Sequence, residues 1–264
     1  MEGITEDLSK KENSTTYHSD KPVCKYGLCD GSGWIYNRAT NSAAQCKCYK
    51  DQIQDNKLKF AKIPLEFSNL TINSFSIDLY EDKEKANLAK KMVARYVVNF
   101  EQFKEQGKGL YIQSKKKGSG KTRLAASLGN ALIKQYGVRT RFITLPNLLN
   151  TIKDTFNDTS KYTEQQLIDE YIDIDILILD DFGVEKSTDW VTSVLFNILD
   201  SRMTHKKVTI FTSNVKVKDL KHDERIQSRV NKMTLQVEMP EEDIRSKLGE
   251  DENKELMKIL LGEG

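Results

Sequence analysis

The stretch GLYIQSKKKGSGKTRLAASLGNALIKQY, residues 109–136, sets an apolar run, a glycine-bearing loop and a helix-forming segment in direct succession. GLYIQS, 109–114, reads as a short buried strand, and TRLAASLGNALIKQY, 122–136, as a helix that stops at Gly137. Between them lies SKKKGSGKT, 114–122. A loop in that position turns backbone N–H groups toward an anion, and the positive end of the following helix adds to the attraction. Gly118 and Gly120 let the backbone approach a phosphate without a Cβ in the way. Lys121 is placed to neutralise β- and γ-phosphates and the Thr122 hydroxyl to ligate magnesium. The full G-x-x-x-x-G-K-[ST] pattern asks for glycine at 115, where this chain has Lys115. That substitution weakens nucleotide binding if the position needs a positive φ. A solvated basic turn is the competing account, and strand, GxGKT and helix in this order speak against it.

Outward from the loop the pattern stays regular. EKANLAKKMVARYVVNFEQF, 84–103, predicts a helix with Leu88, Met92, Val93, Tyr96 and Val97 on one side. RTRFIT, 139–144, predicts a strand and LPNLLNTIKDTF, 145–156, a helix. DILILDD, 175–181, is a continuous apolar run ending in two acids, as suits a strand buried on both faces of a parallel sheet. WVTSVLFNILDSRM, 190–203, predicts a helix and KVTIFTSN, 207–214, a further strand. Such alternation predicts an α/β domain, a parallel sheet flanked by helices with its site at the strand carboxyl ends. Asp180 then fits a magnesium-holding carboxylate, and Asp181 an acid that orients or deprotonates the attacking water. Asn214 is a candidate for the γ-phosphate or the lytic water, or simply a polar strand end. Arg225, Arg229 and Arg245 follow, any of them a surface arginine or one aimed at a γ-phosphate.

The flanks bound the rest. With 41 Lys plus Arg against 39 Asp plus Glu in 264 residues, the net charge of +2 does not advertise nucleic-acid binding. No apolar run reaches the length that spans a bilayer and the start lacks the core of a signal peptide, so no membrane partner and a cytoplasmic location are expected. All four cysteines, Cys24, Cys29, Cys46 and Cys48, fall in one short segment, which points to a metal rather than a disulfide framework. Four thiolates suit a tetrahedral structural zinc, with His18 as a substitute ligand and free buried cysteines as the alternative. Lys25, Arg38, Lys47 and Lys50, in or beside that segment, are either solvated or touch nucleic acid. The expected organisation is a disordered 1–20, a small zinc-binding domain 21–60, a linker 61–83, the ATPase domain 84–250 and a tail 251–264. The tail's ELMKILLGEG, with Leu256, Met257, Ile259, Leu260 and Leu261, is expected to pack on its own domain.

From about Phe67 to Lys247 the chain resembles the AAA+ ATPase domain of bacterial DnaC/DnaI-type helicase loaders and the related IstB transposition ATPases. The likeness covers GLYIQSKKKGSGKTRLA, RTRFITLPNLLNTI, TIFTSN and ERIQSRV with EDIR, and is most discriminating in DILILDDFGVEKSTDW, 175–190. It implies that Gly118, Ser119, Gly120, Lys121, Thr122 and Arg123 bind ATP, that Asp180 and Asp181 are Walker B acids, and that Asn214 is sensor 1. It also implies that Arg229 matches the arginine-finger segment and that Arg245 is the arginine near the γ-phosphate in cis. CDGSGWIY, 29–36, is similar to the amino-terminal zinc region through which such loaders engage the helicase. The implied cofactors are ATP, Mg2+ and Zn2+. The implied partners are a hexameric replicative DNA helicase, single-stranded DNA and further copies of the chain, in a bacterial cell with the gene chromosomal or phage-borne. An IstB-like helper of a transposase, or an adaptor that binds ATP without hydrolysing it, are the rival readings.

Overall fold

The computed structural model describes residues 24–157, 160–185 and 187–262, in two compact units that divide between Ile53 and Gln54. His18 and the segment 1–20 lie outside the described residues. In the first unit β1 (Trp34–Asn37) and β2 (Ser42–Gln45) form an antiparallel hairpin with Trp34 opposite Gln45. Gly33, at φ 84°, brings the chain so close to Tyr49 that a Cβ there would lie 2.9 Å from its ring. Helix α1 (Cys48–Ala61) begins at the last cysteine.

The second unit is built on a five-stranded sheet. Its strands are β3 (Gly109–Gln113), β4 (Thr140–Thr144), β5 (Ile176–Phe182), β6 (Val208–Ser213) and β7 (Thr234–Glu238), in the order β4-β5-β6-β3-β7. Every pairing is parallel. Side chains alternate between faces along a strand, and the two faces carry different helices. Leu110, Ile112, Ile176, Ile178, Val208 and Ile210 pack with α2 (Lys83–Val98) and α4 (Lys121–Tyr136). Tyr111, Leu177, Leu179 and Phe211 pack with α5 (Leu145–Lys153), α6 (Glu164–Asp173), α7 (Asp189–Thr204) and α8 (Glu224–Met233). Burial on both faces explains why DILILDD reads as an unbroken apolar run.

Four expectations change. Helix α2 ends at Val98, and α3 (Phe100–Glu105) is separate. Its buried stripe is Ala86, Ala89, Val93, Tyr96 and Val97, whereas Leu88 is exposed. At 100° per residue Leu88 falls on the far side of that stripe. The segment 61–83 is no linker, because Ile72, Phe75 and Tyr80 enter the core and cover α4. Asn130 of α4 donates to the carbonyls of Phe67 and Leu70, and Lys90 to those of Asn73 and Phe75. Finally, α9 (Ile244–Leu260) runs through position 250 without a break. Its apolar end, Leu256, Met257, Ile259, Leu260 and Leu261, is exposed rather than packed on its own domain.

Arg202 is the largest fully buried side chain of the described residues. From α7 its Nη1 donates to the carbonyls of Tyr171, Ile172 and Ile174, its Nη2 to Val208 O and its Nε to Thr209 Oγ1. It thereby satisfies the end of α6, whose last carbonyls have no partner within the helix.

Candidate functional site

Gly120 caps α4 in the left-handed region, at φ 84°, with no side chain bonded to the first turn. The leading N–H groups of α4 are thus left for an anion. Gly118, at φ 72°, has no room for a side chain, since a Cβ would lie 2.0 Å from Asp243 Oδ1. Its carbonyl accepts from the N–H groups of Ile244 and Arg245 at 3.0 and 3.1 Å, so the start of α9 grips the loop. On the other flank Tyr80 donates to Ser119 O at 3.0 Å, and its ring stacks on Phe75. Lys115 is exposed and is not among the residues with positive φ, so the backbone there makes no demand for glycine.

Lys121 is buried, with Nζ donating to Lys116 O at 2.9 Å and Ser119 Oγ at 3.2 Å. Burial pulls its pKa down to about 8; Asp181 and Asp180 oppose the shift, and Arg245 adds to it. A bound phosphate favours the cation. Below pH 8 the lysine is already charged and binding costs no proton. Above it, binding takes one up, and affinity falls by about tenfold per pH unit until the pKa of the complex is reached. Titration calorimetry of an ATP analogue in buffers of different ionisation enthalpy should show little proton uptake at pH 7 and uptake approaching one proton at pH 9. Equal uptake at both would overturn this assignment.

Asp180 is buried at the end of β5, where burial raises its pKa against the bonds from Thr212 and Thr122. Thr122 Oγ1 donates to its Oδ1 at 2.9 Å, and Thr212 Oγ1 to the same oxygen at 2.5 Å. This pair of hard oxygens, a hydroxyl and a carboxylate, fits magnesium. At Asp181 the regular ladder breaks: the pairing of β5 with β6 shifts between Leu179 and Phe182, and Asp181 takes φ 55°. Its N–H donates to Thr212 Oγ1 at 3.1 Å. The bulge turns both acids toward one end of the sheet, where strict alternation would oppose them.

Thr212 is the residue the sequence reading passed over. It was legible as a polar position inside a fully buried strand, two residues before the Asn214 chosen instead. Asn214 is half-buried just beyond β6, and its side chain makes no hydrogen bond among the described residues. Arg245 lies against the loop of its own chain. Arg123 does not join the cluster, donating instead to Ser74 O at 2.8 Å. Arg229 is also elsewhere, held on α8 by Asp200 at 2.7 Å and stacked 4.0 Å from the Phe196 ring centre. Arg225 shares that ring and is paired with Asp223.

In the first unit the four sulfurs of Cys24, Cys29, Cys46 and Cys48 all lie within 4.8 Å of one another. Cys24 and Cys46 are 3.7 Å apart, Cys29 and Cys48 3.4 Å. A tetrahedral zinc with Zn–S bonds of about 2.3 Å has sulfur–sulfur edges of about 3.8 Å, whereas a disulfide needs about 2.05 Å. The donor set fits zinc.

The model of the family described as IstB-like ATP binding protein matches residues 51–228. The replicative helicase loader DnaC of Buchnera aphidicola subsp. Baizongia pistaciae is 29% identical over 155 residues, 59% of each chain. The replicative helicase loader DnaI of Bacillus subtilis is 33% identical over 119 residues, 44% of this chain and 36% of that one. The chain spans about three fifths of the length of the DnaC relatives it first matches. Among solved structures, DnaI superposes with a TM-score of 0.57 at 26% identity, over 68% of this chain and 95% of that one. The DnaC helicase loader superposes with a TM-score of 0.54 at 24% identity, over 64% and 98%, which speaks to the fold alone.

Proposed function

Because the chain belongs to the family of IstB-like ATP binding proteins, we propose that it hydrolyses ATP and uses the cycle to place a replicative DNA helicase on single-stranded DNA. The observation that carries the chemistry is the meeting of Lys121, Thr122, Asp180, Thr212 and Asp181 at one end of the sheet. The free N–H groups at the start of α4 and Lys121 hold the phosphates. Asp181 takes the proton of the attacking water, and Thr212 holds the backbone that aims it. Thr122 and Asp180 would hold magnesium, which supplies charge neutralisation across the phosphates. Arg245 stands beside the loop in cis. Arg229, held by Asp200 and Phe196 on its own chain, serves the site of an adjoining copy, so self-association completes the centre.

The loader reading is supported by the names of the DnaC and DnaI relatives. The transposition reading has its own support in the family match, which begins at residue 51 and leaves out the cysteine cluster. Co-purification with the hexameric helicase of the same cell, with ATP and single-stranded DNA present, separates them. A stable complex is expected, and no binding to any replicative helicase would sink the loader reading. Among the described residues no helix is long and apolar enough to cross a membrane, in keeping with a proposed place in the cytoplasm.

The cysteine unit is proposed to bind zinc and to engage the helicase. Freshly purified, reduced protein should carry about one zinc per chain, and Cys46→Ser/Cys48→Ser protein should carry almost none and lose helicase binding. Wild-type protein without zinc would remove the metal assignment.

A further inference from the structure

Beyond the phosphate loop, the structure buries a second pair of ionisable side chains. His222 Nε2 lies 2.5 Å from Glu185 Oε1, with 2% and 7% of the side chains exposed. Glu185 sits four residues past Asp181, on the chain leaving β5. That backbone is tightly set, with Asp181 at φ 55° and Gly183 at φ 87°. A Cβ on Gly183 would lie 2.6 Å from Leu220 and 3.1 Å from Val215, so the turn is pressed against the segment that follows β6. Ser213 Oγ donates to Phe182 O at 2.6 Å, and the Phe182 ring packs on that of His222. On its other side His222 directly precedes Asp223, the cap of α8. Gln227 of α8 donates back to the carbonyls of Leu220 and His222. The same helix carries Arg225 and Arg229.

Burying a carboxylate against an imidazole carries a desolvation cost that an apolar pair of equal volume avoids. Stability alone is therefore a poor account of the contact. We propose that Glu185 and His222 are positioning residues, whose contact fixes the backbone that aims Asp181 and ties it to the start of the arginine-bearing helix α8. The proposal rests on the reading that the chain hydrolyses ATP. Neither residue touches the nucleotide; each acts through Asp181.

The test compares full-length wild type with Glu185→Ala, Glu185→Gln and Lys121→Ala. The readouts are turnover per folded molecule well below the unfolding temperature, affinity for a non-hydrolysable ATP analogue, and amide exchange at 181–185. For Glu185→Ala turnover should fall roughly tenfold to hundredfold, the cost of a misplaced catalytic group. Analogue affinity should hold within about twofold, because only transition-state interactions are lost. Exchange should quicken at 181–185 and not in α4. Glu185→Gln, which keeps the size and polarity of the side chain against the imidazole, should recover most of the turnover. Glu185→Ala turnover like wild type, or turnover and affinity falling together, would overturn the proposal. If Lys121→Ala hydrolyses ATP as fast as wild type, the hydrolysis reading fails by itself and exchange decides the pair. Quickened exchange confined to 181–185 then supports the positioning role, and unchanged exchange overturns it.

Discussion

Lys121→Ala is expected to lower ATP turnover by roughly a hundredfold to a thousandfold, the scale on which removing one preorganised charge from a closed site acts. The side chain is buried, and its basic neighbours Lys115, Lys116 and Lys117 are exposed on the outer part of the loop. Nucleotide affinity should fall as well, because the lysine meets the phosphates in the ground state as much as in the transition state. Asp181→Ala provides the contrast. It should keep analogue binding and lose turnover by about a hundredfold or more, the range of a positioned acid or base. Phosphate release measured with and without single-stranded DNA decides the matter. The same background rate in wild type and both variants would leave an ATP-binding adaptor, with no enzyme.

The second large effect falls on stability. Arg202→Leu leaves the carbonyls of Tyr171, Ile172, Ile174 and Val208 in a dry interior without their donor. Breaking a buried charged network of this kind costs about 3–5 kcal/mol. In a unit of this size that is a fall of roughly 10 °C in Tm. Arg202→Lys should recover little, since one ammonium cannot reach five acceptors spread around a planar fork. Thermal unfolding of the three proteins is the check. A loss under 1 kcal/mol for the leucine variant would mean that water replaces the guanidinium.

Arg202 also marks the limit of what could be read from the letters. Nothing in WVTSVLFNILDSRM distinguishes it from a solvated arginine, because four of its five partners are backbone carbonyls of α6, β6 and the turn between α6 and β5, and the fifth is Thr209 Oγ1. Strand β5 was legible since burial on both faces leaves an unbroken apolar run, and β3 and β6 because short β-branched and aromatic stretches precede their polar ends. Helix α6 was not: of its ten residues only Ile168 and Tyr171 are buried, although the Thr163–Gln166 capping box signals its start. Strand β7 was missed because it is an edge strand with only Thr234 and Val237 buried. The phosphate loop, the acids and the cysteine cluster were legible as residue types at fixed spacing. Thr212 shows in the sequence only as a polar position in a buried strand, because its role depends on a bulge in the neighbouring strand that no spacing announces. Whether position 115 calls for glycine is likewise set by a backbone angle and not by the residue type, and φ there is not positive.

The sheet order has a consequence for how the molecule comes into being. Strand β3 is flanked by β6 and β7, and Gly118 takes its hydrogen bonds from the first residues of α9. The strand that leads into the phosphate loop thus waits for partners made some hundred residues later. While the chain is still leaving the ribosome, residues 109–122 are all present and both edges of their strand are open. Open edges of this kind invite pairing with other chains. The phosphate loop in turn lacks the two donors that hold Gly118 O until Ile244 and Arg245 have emerged.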